Sequence, residues 1–211
     1  MKHLGGKWSA WPIVAVLLAV QSAFGIEVSS PLSFVSSGSA KIVTIAGVID
    51  DSTVREVQIQ LRATRTLPGD RIVLIDSFGG SVSSGLRIID LLEKERSATV
   101  HLVCIVDGEA DSMAFNLLSH CDVRLATPRS HFVVHKVAAG GLDEHERGTA
   151  KNLRKMADEI DRIDERFRQL NARMMHLSLS DYDRFADAER NWTARELLQI
   201  GYLTGYANLK L

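Results

Sequence analysis

Little in this sequence is extreme, and what it has little of narrows the field. Charge of either sign is not in excess, with 25 basic against 26 acidic residues, so nothing marks a nucleic-acid partner or an anionic membrane surface. Low-complexity tracts are absent, and so is any self-similarity at the periods of about 20–50 residues that build repeat arrays. Cysteine is scarce. Cys104 and Cys121 are the only two, and neither their spacing nor their neighbours offer a metal site. Cys104 lies in the apolar run 100–106, so two buried thiols side by side and a disulfide both fit the pattern. The apolar run at 8–20 is interrupted by Ser9 and Pro12 and falls short of the roughly 20 residues that cross a bilayer comfortably. It follows Lys2, His3 and Lys7 and precedes Ser22-Ala23-Phe24-Gly25, a small-x-small site. Residues 1–25 therefore read as a cleavable secretory signal, and a periplasmic or secreted location is expected. Membrane contact is expected only if that segment stays uncleaved.

The remainder is of ordinary globular composition, at 45% hydrophobic and 24% charged over 211 residues, and its length suits one domain. Residues 26–39 are Ser-rich with one Pro and read as a flexible lead-in to a single domain over 40–211. Within it, short β-branched runs at 41–46, 71–76 and 99–106 alternate with amphipathic stretches at 52–66 and 83–96. A short helix at 111–119 and two short strands at 123–126 and 131–135 follow. Strand and helix in alternation predict an α/β fold with parallel pairing, its central strands apolar on both faces.

From 143 to 178 there is no proline. Apolar residues recur at Leu153, Met156, Ile160, Ile163, Phe167, Leu170, Met174 and Leu177, in steps alternating between three and four. That pattern predicts one long amphipathic helix. About 36 residues at ~1.5 Å each make a rod of roughly 54 Å, longer than the roughly 40 Å diameter of such a domain. Its stripe would overhang, so a homo-oligomer built on the 143–178 helix is expected. A final short helix is expected before Gly201, with Thr193 as its N-cap.

Three segments could carry chemistry. Asp76-Ser77-Phe78-Gly79-Gly80 ends a strand and opens a helix, where two glycines let backbone N–H groups approach an anion; a plain tight turn reads equally well. Gly108-Glu109-Ala110-Asp111-Ser112-Met113 repeats that arrangement and sets a serine on a strand-to-helix turn. Such a serine suits a nucleophile and the next N–H suits an oxyanion donor, although Asp111 or Ser112 could merely cap the helix. His135 closes the strand begun by His131, where an imidazole can face a serine across a sheet edge or simply satisfy a local hydrogen bond.

Together, LIDSFGGSVSSGLRIID (74–90), GEADSMAFNLL (108–118), TPRSHFVVHKVAAGG (127–141) and WTARELLQIGYLTG (192–205) resemble the Clp protease proteolytic subunit and its periplasmic relatives, in the crotonase-like superfamily. The resemblance runs from about 41 to 206. It implies a ClpP/crotonase-like spiral of ββα units with a handle-type long helix, acting as an exported serine peptidase on peptide or protein substrates. It also implies Ser112 as nucleophile, His135 as general base, and the N–H groups of Gly80 and Met113 as oxyanion hole. Glu189, with Asp187 as the alternative, falls where the orienting carboxylate belongs. No metal or cofactor is implied. Phe78 replaces a proline, Asp111 replaces a small residue, and Glu189 is one methylene longer than the family's aspartate. These departures keep a catalytically inactive ClpP-like scaffold open. The segment 121–126 also resembles the acyl-CoA branch of the superfamily, a remoter alternative.

Overall fold

The computed structural model describes residues 41–64, 69–138 and 150–207. The expected secretory signal, the lead-in and the first seven residues of the expected long helix (143–149) lie outside the described residues. In chain order the elements are β1 (Lys41–Ile49), α1 (Asp51–Ala63), β2 (Arg71–Gly80), α2 (Val82–Glu93), β3 (Leu102–Ala110) and α3 (Met113–Ser119). These are followed by β4 (Val123–Ala126), β5 (His131–Val133), α4 (Ala150–Met174), α5 (Leu179–Asp187), β6 (Asn191–Thr193), α6 (Ala194–Gln199) and β7 (Gly205–Tyr206).

Five strands form a parallel sheet in the order β1-β2-β3-β4-β7. The expected α/β class with a parallel sheet is therefore the one observed. Parallel strands need helical crossovers, and α1 and α2 supply them by packing Val54, Val57 and Leu61, and Ile88, Ile89 and Leu92, into the core. Leu102 to Val106 of β3 are all buried, as a central strand covered on both faces requires. β5 leaves the main sheet. It touches the end of β3 through Glu109↔His131 and pairs antiparallel with β6.

β2 and β3 run further than their apolar cores predicted, because both continue through the glycines expected to be turns. Gly80 still pairs with Ile49 and Ser77 with Ala110, after a register shift beyond Ile75. The long helix stops earlier than expected. His176 takes φ 56, its N–H donates to the Arg173 carbonyl, and the Leu177 N–H donates to Ala172. This is a Schellman stop with histidine where glycine is usual. Leu177 kept the periodicity because it is the apolar contact beyond that stop, partly buried against the core. Ser178 then caps α5, an element the periodicity hid.

Two features brace α3. Tyr202, wholly buried, stacks on Phe115 with ring centroids 4.7 Å apart, and its hydroxyl lies 2.8 Å from that of Ser119. Cys104 in β3 and Cys121 after α3, both buried, form a disulfide with Cα atoms 5.9 Å apart. The bond closes a loop of separation 17 that contains the whole turn from Gly108 to Ser112. Reduction, or a Cys104→Ala/Cys121→Ala double variant, should cost about 3 kcal/mol, the loop-closure scale for that length. Urea unfolding checks this: the midpoint should fall on reduction, and an unmoved midpoint would mean the chain carries free thiols in solution.

Candidate active site

At the carboxyl edge of the sheet the ends of β2 and β3 meet. Ser77, buried, donates its hydroxyl to the Gly47 carbonyl at 2.6 Å and accepts the Gly79 N–H at 3.1 Å. Gly79 has φ 91, and a Cβ there would lie 2.7 Å from the Asp111 carbonyl oxygen, 2.8 Å from Ser112 Cβ and 2.9 Å from the Met113 nitrogen. Only glycine permits that approach. The Gly79-Gly80 segment thus packs directly on the Ser112-Met113 turn, two pieces of sequence more than thirty residues apart.

Ser112 sits at φ 54, ψ −116, conformational space that residues with a Cβ rarely occupy. It precedes α3 yet its side chain makes no capping hydrogen bond. The capping reading of Ser112 therefore fails. The surrounding backbone holds the strain, of order 1–3 kcal/mol, through the Ser112 N–H to the Val133 carbonyl at 2.9 Å and the Asn116 N–H to the Ser112 carbonyl at 3.2 Å. Met113 opens α3, so its N–H is among the donors that a helix cannot satisfy internally.

The Asp111 side chain does not cap the helix either. Its Oδ1 accepts the Val133 N–H at 2.7 Å. Burial raises its carboxyl above the usual range, partly opposed by that hydrogen bond and by His131. No local pattern reveals this partner, which is 22 residues distant. Beside it, His131 Nε2 lies 3.2 Å from Glu109 Oε2.

A model of the Clp protease family matches residues 34–205. The chain belongs to the Clp protease family. By that membership it is a ClpP-like peptidase. It is 27% identical over 209 residues to the ATP-dependent Clp protease proteolytic subunit 1 of Rhodococcus jostii (strain RHA1), covering 96% of this chain and 91% of that one. The proteins of the same name from Thermobifida fusca (strain YX) and Corynebacterium diphtheriae are 26% and 28% identical over 185 residues, covering 86% of this chain and 79% and 84% of theirs.

Against the residues expected of this Clp family member, the structure brings Gly79, Gly80, Ser112 and Met113 together and sets β5, which leads into His135, beside them. It does not join His135 to Ser112 by a hydrogen bond among the described residues. His135 Nδ1 lies 2.7 Å from the Lys136 carbonyl oxygen, which can only accept, so Nδ1 donates there and, in the neutral ring, Nε2 holds the lone pair. The carboxylate expected at Nδ1 is not there. Asp187 pairs instead with Lys136 Nζ at 2.5 Å, and Glu189 is exposed at φ 46. The physical reason is where the β5–β6 ladder stops. Its register sets His131 opposite Thr193, Phe132 opposite Trp192 and Val133 opposite Asn191. Two more steps would set His135 opposite Glu189.

The approach of Gly79 to Ser112 has a measurable consequence. Gly47 also has positive φ, at 68, but a Cβ there meets nothing within 4 Å. Gly47→Ala should cost only backbone strain, about 1–2 kcal/mol. Gly79→Ala adds the overpacking term, about 1–3 kcal/mol more. Thermal unfolding of the two variants side by side isolates the clash; equal losses would mean the turns are not in contact.

Proposed function

We propose that this Clp family chain is a serine-type peptidase working in the periplasm or outside the cell. The observation that carries the reading is Ser112: a strained, uncapped serine at a strand-to-helix turn, packed on a glycine pair that no side chain could replace. Its hydroxyl attacks the scissile carbonyl of a peptide while His135 Nε2 takes the proton, then returns it to the leaving amine. With Nδ1–H held by the Lys136 carbonyl, Nε2 is already the basic nitrogen. The N–H groups of Gly80 and Met113 receive the oxyanion, a contribution of about 3–4 kcal/mol per donor.

Glu189 serves as the orienting carboxylate in preference to Asp187. Asp187 is engaged by Lys136, whereas Glu189 is the residue that two further steps of the β5–β6 register would set opposite His135. Extending the β5–β6 ladder by two residues would exchange the Lys136 carbonyl for that carboxylate. Catalytic hydrogen bonds commonly tighten only with substrate bound. The absence of a Ser112–His135 bond favours a second reading, an inactive scaffold of the same fold.

The Cys104–Cys121 disulfide supports a location in an oxidising compartment, independently of the secretory pattern at 1–25. Along α4, Phe167 is buried while Met156, Ile160 and Ile163 are half-buried and Leu153 is exposed. This graded exposure supports a homo-oligomer formed through the long helix, since an apolar stripe of that kind is costly in water.

Fluorophosphonate labelling tests the chemistry. Wild-type protein should label, and Ser112→Ala and His135→Ala should not. Glu189→Gln should slow peptide hydrolysis by a factor of order 10⁴, the scale for neutralising such a carboxylate. A folded chain that never labels leaves the scaffold. For location, Edman sequencing of the exported chain should begin at Ile26; intact residues 1–25 in a membrane fraction would replace the cleaved signal with an anchor.

A further inference from the structure

Val133 is held at both of its backbone polar groups by the two residues of the nucleophile turn. Its carbonyl accepts the Ser112 N–H at 2.9 Å, and its N–H donates to Asp111 Oδ1 at 2.7 Å. β3 has ended at Ala110, and its only pairing with β5 is Glu109↔His131, so the ladder offers no backbone carbonyl for that N–H. The Asp111 side chain supplies the acceptor the ladder lacks. On its other side the Asp111 N–H donates to the Ser77 carbonyl at 3.0 Å, and Ser77 Oγ accepts the Gly79 N–H at 3.1 Å. A continuous set of bonds therefore runs from the glycine pair through Ser77 and Asp111 to Val133. His135 is two residues further along the chain, just beyond the end of β5.

We propose that Asp111 is a positioning residue: its carboxylate fixes the strand leading to His135, and its N–H fixes the strand end bearing Gly79 and Gly80, both against Ser112. A small residue at this place, usual in the family, could do only the second. The proposal rests on the serine-peptidase reading for its consequence in activity, whereas the clamp itself is independent of it. The charged and titratable groups facing the carboxylate are Glu109 on β3, His131 on β5 and His135 beyond it.

Asp111→Asn keeps an oxygen that accepts the Val133 N–H while removing the charge. Asp111→Ala removes both, and Asp111→Leu does so at similar volume should alanine fold poorly. Amide hydrogen exchange by NMR reads the clamp directly. Protection at Val133 should be lost in Asp111→Ala and Asp111→Leu and kept in Asp111→Asn. Fluorophosphonate labelling reads the consequence. The alanine and leucine variants should lose of order 10²-fold in rate, the scale of an approximately 1 Å misplacement. Asparagine should recover most of that loss. Unchanged protection of Val133 in Asp111→Ala overturns the clamp. Labelling at wild-type rate in an alanine variant that has lost that protection overturns the positioning role. Should wild-type protein fail to label at all, the peptidase reading fails, and exchange at Val133 still decides the clamp.

Discussion

Everything at the sheet edge depends on one close approach, the backbone of Gly79 against the turn at Ser112. A single methyl group between them would overlap three atoms of that turn, so the two strand ends can meet only where side chains are absent. That meeting places a strained serine beside the N–H groups of a second turn. The strain persists because the residues around it are over-determined. Asp111 and Ser112 are bonded to Ser77 on one side and Val133 on the other, and α3 behind them is buried at every residue.

The parallel sheet explains why the two turns share an edge at all. Parallel strands point their carboxyl ends the same way, so the loops following β2 and β3 emerge together, and the register Ser77↔Ala110 brings them level. His135 arrives differently. β5 is short, tied to β3 at one bridge, and paired antiparallel with β6, which belongs to the segment carrying Glu189. Ser112 and the glycine pair thus lie where the main sheet ends, whereas His135 and Glu189 each lie two residues outside the β5–β6 ribbon. The His135 Nδ1 contact with the Lys136 carbonyl lies in this second part.

Much of this was legible from residue order. Alternating apolar runs and amphipathic stretches specify the α/β class because a buried strand and a half-buried helix expose different periodicities to water. The eight-residue stripe from Leu153 to Leu177 specifies α4, and the Thr193 cap with Glu196 three residues on specifies the start of α6. The strand-to-helix glycine turns single out Gly79-Gly80 and Ser112. Where the reading erred, a residue was doing an unusual thing: His176 ends a helix in a conformation that glycine normally takes, so the stripe ran on to Leu177 with no visible stop.

Sequence alone therefore determined the class of fold, the long helix and the identity of the residues that could react, because these follow from local periodicity and backbone conformational preference. Tertiary structure alone decided which of them touch. Whether Ser112 caps a helix or stands free, whether Asp111 caps that helix or accepts the Val133 N–H, and whether Cys104 meets Cys121 turn on partners 17 to 22 residues away or further. Such partners are chosen by how strands register and pack, and the free energy that chooses them is spread over the whole core rather than written in any one segment.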